Sequence, residues 1–190
     1  MASMTINATG HAWGSTSFNS TTDIKVGKTG STSTDGTKYK GYISFPALDK
    51  TIVIKSIKLV LYRIDAYAAH TLSFGSSASN SWSASLNWSK NYSITSGANA
   101  KTLDITEFTS TLQGYAGAWH IHIQHGSGTN SYSEFNWATS ANRPRLVIEY
   151  EYATVWYRNG TTWVRCLVYY RNGSSWVQCI PYYRNGSTWV

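Results

Sequence analysis

The stretch Trp119-His-Ile-His-Ile-Gln124 alternates large apolar side chains with polar ones at every step. Successive side chains of a strand leave on opposite faces. The alternation therefore predicts a strand with Trp119, Ile121 and Ile123 against a core and His120, His122 and Gln124 outside. The same reading applies on either side of it. Ile57, Leu59 and Leu61 alternate with Lys58, Val60 and Tyr62, and Leu146, Ile148, Tyr150 and Tyr152 alternate with Arg145, Val147, Glu149 and Glu151. In each run the first set is expected to face the core. Short runs like these, divided by Gly/Ser/Asn/Thr turns, fill residues 1–152 and point to a sandwich or jelly roll. One short helix is expected near Thr106–Leu112, where Phe108 and Leu112 are four apart and Thr106 could cap.

Composition agrees with an all-β class. Aromatics make up 15% of the 190 residues, with nine Trp and fourteen Tyr, and charged residues only 13%, well under the usual quarter or so. Polarity comes from hydroxyls and amides, as in extracellular β proteins and virion parts, and fits a cytosolic enzyme poorly. The formal charge is +7. Residues 1–152 hold twelve Lys/Arg against nine Asp/Glu, whereas residues 153–190 hold four Arg and no acid. No run approaches the eighteen or so apolar residues of a membrane helix. Met1-Ala-Ser-Met-Thr-Ile lacks the basic-then-apolar pattern of a secretory signal. A virion or extracellular location reached by cell lysis is the resulting expectation.

The C-terminal region is an internal repeat. Val155-Trp-Tyr-Arg-Asn-Gly-Thr-Thr-Trp-Val-Arg-Cys-Leu is followed by Val168-Tyr-Tyr-Arg-Asn-Gly-Ser-Ser-Trp-Val-Gln-Cys-Ile, and a third copy runs from Pro181 to Val190. Trp163, Trp176 and Trp189 keep a period of thirteen. Each Asn-Gly (Asn159-Gly160, Asn172-Gly173, Asn185-Gly186) lies between aromatic β-forming runs, a strong signal for a hairpin with a two-residue type I′ loop. That loop would pair Tyr157 with Thr162 and Trp156 with Trp163. One side of the first hairpin would carry Trp156, Arg158 and Trp163, and one side of the second Tyr169, Arg171 and Trp176. Tyr182, Arg184 and Trp189 are the third set. Hairpins this thin bury little by themselves, so self-association through residues 153–190 is expected, with a homotrimer as the anticipated state. The same exposed rings could instead stack on sugars. Cys166 and Cys179 share one repeat position and read as small apolar fillers, with a disulfide between stacked repeats as the alternative.

Residues 24–152 resemble the DNRLRE-type jelly-roll domain of bacterial surface and phage structural proteins. The likeness rests on Gly41-Tyr-Ile-Ser-Phe45, Ile57-Lys-Leu-Val-Leu-Tyr62, Leu103-Asp-Ile-Thr106, Ser133-Glu-Phe and Arg143-Pro-Arg-Leu-Val-Ile-Glu-Tyr150. The tail is similar to the Tyr-Arg-Asn-Gly-x-x-Trp-Val repeats that end many virion proteins of phages of Gram-positive gut bacteria. It is distantly similar to choline-binding cell-wall repeats, although its period is shorter and their Gly-Trp opening is missing. These likenesses imply a jelly-roll β-sandwich over residues 5–152 and a hairpin-repeat tail over 153–190.

No catalytic constellation stands out: the sequence has no Gly-x-Ser-x-Gly, HExxH or P-loop motif. His120 and His122, with His125 nearby, are weak candidates for a metal site, and no cofactor is expected. The functional expectation is a non-enzymatic virion structural or interaction protein, such as a capsid decoration, head-fibre or tail-associated adhesin subunit. Its partners would be itself, other virion proteins and cell-surface glycans, with nucleic acid disfavoured. The alternatives are a carbohydrate- or cell-wall-binding module and an extracellular filament subunit.

Overall fold

The computed structural model describes residues 1–30, 36–49, 52–66, 69–86, 88–95, 97–109, 117–127, 131–152, 155–166, 168–179, 184–185 and 188–189. The strands of the body are β1 (Ala2–Asn7), β2 (Gly10–Gly14), β3 (Ile24–Lys28), β4 (Lys38–Phe45), β5 (Ile52–Ala66), β6 (His70–Ser77), β7 (Trp88–Ile94), β8 (Asn99–Asp104), β9 (Trp119–Ser127), β10 (Ser131–Phe135) and β11 (Arg145–Tyr152). They form one antiparallel sheet in the order β1-β11-β5-β10-β3-β4-β9-β6-β7, with β2 beside β4 and β8 beside β5. The sheet curls into a half-barrel, so that its two limbs close on a single core in the manner of a sandwich. The all-β expectation holds.

The core shows why the limbs curl. Ile57, Leu59 and Leu61 of β5, Trp119, Ile121 and Ile123 of β9, and Leu146 and Ile148 of β11 are all fully buried in one cluster. Ile43 and Phe45 of β4 and Leu72 and Phe74 of β6 join them. Phe45 and Trp119 stack at 5.2 Å between ring centroids. Each strand contributes alternate residues, and burying a large apolar side chain is worth roughly 1.5–3 kcal/mol.

Three local expectations need correction. In β11 the burial ends at an irregularity in the pairing with β5 between Glu149 and Tyr150. Past that point Tyr150 only packs beside the core and Tyr152 is 43% exposed, although both stay on the side of their buried partners Ile54 and Ile52; the extra residue at the irregularity is Lys55 of β5, and the two tyrosines lie at the rim of the core. Thr106 does not cap a helix. A 3-10 turn covers Thr106–Phe108, its cap residue is Ile105, and Asp104 Oδ1 accepts the Thr106 N–H at 2.9 Å. Thr106 Oγ1 instead accepts the Ile57 N–H at 3.1 Å, and Leu112 lies outside the described residues. The third correction concerns the hairpins and is given below. Among the described residues, no helix is long and apolar enough to cross a membrane.

Candidate functional site

The tail forms separate two-stranded ribbons: β12 (Val155–Asn159) with β13 (Thr162–Cys166), β14 (Val168–Asn172) with β15 (Ser175–Cys179), and β16 (Arg184–Asn185) with β17 (Thr188–Trp189). The register differs from the sequence reading. Arg158 is opposite Trp163, Tyr157 opposite Val164 and Trp156 opposite Arg165, with Asn159 and Thr162 closing the ladder. The loop is Gly160-Thr161, not Asn159-Gly160. Gly160 and Gly173 hold φ of 63° and 61°, so glycine supplies the left-handed first loop position and Asn remains in the strand. A Gly-first two-residue loop is an accepted hairpin solution. Arg171 opposite Trp176 and Arg184 opposite Trp189 repeat this register.

Because every partner moves by two residues, the strand faces keep their composition. In the second hairpin Arg171 and Trp176 share one side, and Tyr170 and Val177 share the other. Both sides meet solvent: Tyr169 is 48%, Tyr170 50%, Trp176 69% and Val177 36% exposed. The arginines have a role that the repeat pattern alone did not reveal. Arg158 Nε donates to the Gly160 carbonyl at 3.0 Å, and Arg171 Nε donates to the Gly173 carbonyl at 3.1 Å. Each clamps its own turn from two residues upstream, a spacing kept in every copy. Of the remaining repeat residues, Trp156, Trp163, Asn185, Arg184 and Trp189 are placed by strand register, while Tyr182 and Gly186 lie outside the described residues. Cys166 and Cys179 are opposite Val155 and Val168, each within its own hairpin.

A second feature sits on the outer face of the body. Tyr42 and Ser44 of β4 are paired with His122 and His120 of β9. The sequence places both histidines outside, yet His122 is only 6% exposed, because the segment after β6 folds over this face. Its Nε2–H donates to the Ser79 carbonyl at 2.8 Å, while His120 Nδ1 and Ser44 Oγ are 2.7 Å apart. Phe18 packs edge-on against Tyr42 and Trp82, both at 4.9 Å. Desolvation holds both imidazoles below the ordinary histidine range, helped by His122 acting on His120 and by Lys40 acting on His122. The pair is thus part of a packed aromatic layer. Among the described residues no three His, Cys, Asp or Glu side chains lie together in a group fit to hold a metal ion.

Beside this layer, Lys40 Nζ donates to the Trp82 carbonyl at 2.5 Å and stands 3.9 Å from the indole centroid. The cleft it borders, of about 370 Å³, is also lined by Ser15, Lys38, Tyr39, Gln124 and His125. Sequence separation hid this grouping, since β2–β4, the Trp82 segment and β9 supply its parts. No family model matches the chain, and no curated protein matches it.

Proposed function

We propose that this chain is a non-enzymatic structural and interaction protein of a bacteriophage particle, a capsid decoration, head-fibre or tail-associated adhesin subunit, that assembles with copies of itself through its C-terminal hairpins. One observation carries the reading: the Val168–Cys179 hairpin exposes aromatic residues on both sides, Tyr169 and Trp176 with Arg171 on one and Tyr170 on the other. Contiguous exposed aromatic surface marks interaction sites, and isolated two-stranded ribbons are marginal in water. Repetition of the unit favours stacking of like upon like, with a trimer as the expected state. A second reading, in which the rings grip carbohydrate on a cell surface, is favoured by Trp176, whose large exposure leaves an indole free to stack.

Light scattering on the full chain and on a chain ending at Tyr152 tests the first reading. The full chain should be oligomeric and the shortened chain monomeric; an unchanged mass would sink it. Trp176→Ala separates the two readings. Lost assembly supports the hairpin seam, whereas intact assembly with lost retention on host cell walls supports the carbohydrate reading.

A further inference from the structure

Among the described residues β1, β2, β7 and β8 are each paired on one side only. Open edges invite pairing with other chains, and natural sheets guard them with charge, bulges or a covering segment. The outer edge of β2 is covered, since Trp13 and Ser20 exchange backbone hydrogen bonds of 3.0 Å. Lys90 stands on β7, in an ion pair of 2.8 Å with Glu107. Lys101 and Asp104 stand on β8, and the Tyr92 hydroxyl of β7 donates to the Asp104 carbonyl at 2.5 Å. β1 has none of these guards. Ala2-Ser-Met-Thr-Ile-Asn7 holds no charge, no proline and no glycine. Its register with β11 runs from Ala2 to Asn7 without a bulge. Among the described residues no hydrogen bond reaches its outer side. Met4 and Ile6 lie half-buried at the rim of the core, while Ser3, Thr5 and Asn7 on the other face are exposed.

We propose that β1 pairs with β1 of a second copy, antiparallel and about a two-fold axis, so that one continuous sheet joins two bodies. A second copy is favoured over a foreign strand because this edge complements itself. A two-fold contact sets one patch against the same patch, which a charged edge would resist because like charges face one another. Residues directly opposite in an antiparallel pair leave on the same face, so the axis must pass through a residue rather than between two. With Thr5 on the axis, Met4 of each copy meets Ile6 of the other on the core side, and Ser3 meets Asn7 on the outer side. The half-buried apolar row gains cover and the outer row stays polar. An edge of six residues buries less than the roughly 1,200 Å² of a standard interface, so the contact is transient. At low micromolar concentration the body alone stays single. Gathering of copies by the hairpins raises the local concentration at which the edge fills, but the two surfaces are separate.

Amide hydrogen exchange of the full chain, read segment by segment at about 5 and about 500 μM protein, tests it. Exchange in Ala2–Asn7 should slow about three-fold or more at the higher concentration. Thr5→Lys sets two ammonium groups face to face and should abolish the slowing. Thr5 is exposed, and unchanged exchange in Trp119–Ser127 of β9 will show that the body still folds. Ser3→Lys, at a second exposed position of the same face, should act alike. Ser93→Lys, exposed on the β7 edge, should leave the slowing intact. Exchange in β1 that ignores concentration overturns the proposal, as does slowing that survives both β1 lysine variants. The two surfaces report separately. Slowing confined to residues 155–179 supports the hairpin reading and overturns edge pairing, whereas slowing confined to β1 does the reverse.

Discussion

Lys40 and Trp82 are joined twice, by an ammonium-to-carbonyl hydrogen bond of 2.5 Å and by a cation–π approach of 3.9 Å. They are 42 residues apart in sequence. The contact anchors the segment after β6 to β4 and keeps Trp82 against Phe18. Lys40→Met keeps the aliphatic stem and removes the charge. It should cost about 1–2 kcal/mol, the worth of a charged hydrogen bond plus a partly desolvated cation–π contact. Denaturant unfolding followed by tryptophan fluorescence measures it; a change below a few tenths of a kcal/mol would show the anchor to be ornamental.

Gly27 and Gly173 both hold left-handed backbone, yet they should respond differently to alanine. At Gly27, φ is 119° and an added Cβ would stand 2.5 Å from the Ser131 carbonyl oxygen and 2.7 Å from Tyr132 Cα. Both obstacles are backbone of β10, so strand pairing itself must give way. At Gly173, φ is 61° and nothing lies within 4 Å. Gly27→Ala should destabilise the body by about 3 kcal/mol or more, combining strain and clash. Gly173→Ala should cost about 1 kcal/mol, confined to the hairpin, and leave the main unfolding transition where it was. Thermal unfolding of both variants checks the contrast.

Trp119 is fully buried, but its Nε1–H has no partner among the described residues. Two effects of Trp119→Phe therefore oppose each other: a small cavity opens, and an unsatisfied donor disappears, which is worth roughly 1–3 kcal/mol. The net loss should be about 1 kcal/mol or less, whereas Trp119→Ala, which also removes the stack on Phe45, should lose roughly 3–5 kcal/mol. Equal losses in the two variants, measured by urea unfolding, would show that the donor carries no penalty.

The parts of the fold that sequence revealed are those where one physical demand acts alone. Ile57–Leu61 and Trp119–Ile123 lie on strands with one face on the core, and a period of two follows directly. The N-terminal edge was hidden because β1 is paired on one side only, with β11, and its side chains alternate between exposed and half-buried, which imposes little on their chemistry. In the hairpins, Asn-Gly announced the bends correctly but not the register, because glycine satisfies the left-handed position equally well as first or second loop residue. The covering of His122 by the Ser79 segment and the docking of Trp82 on Lys40 depend on chain segments 43 and 42 residues apart. No local pattern encodes such meetings.

Acid sensitivity follows from the histidines. His11, His120, His122 and His125 all have pKa values below the ordinary one, in each case chiefly through desolvation. His11 is additionally held against Trp137, with ring centroids 3.9 Å apart, and its Nε2 is 2.6 Å from the Thr22 carbonyl. For each, the unfolded chain takes up a proton at about pH 6.5 while the folded chain still resists. The unfolded state then binds more protons, so stability decreases as pH falls from about 7 and keeps decreasing until the lower folded values are passed. Asp104, whose carboxyl is held below the usual range chiefly by its hydrogen bonds to Thr106, adds a further loss only below about pH 4. Unfolding free energies measured at pH 7.5, 6.5 and 5.0 should therefore fall in that order. His122→Gln, which keeps a donor for Ser79 without a titrating ring, should flatten the slope, and stability that stays level or rises towards pH 5 would contradict the burial of these four rings.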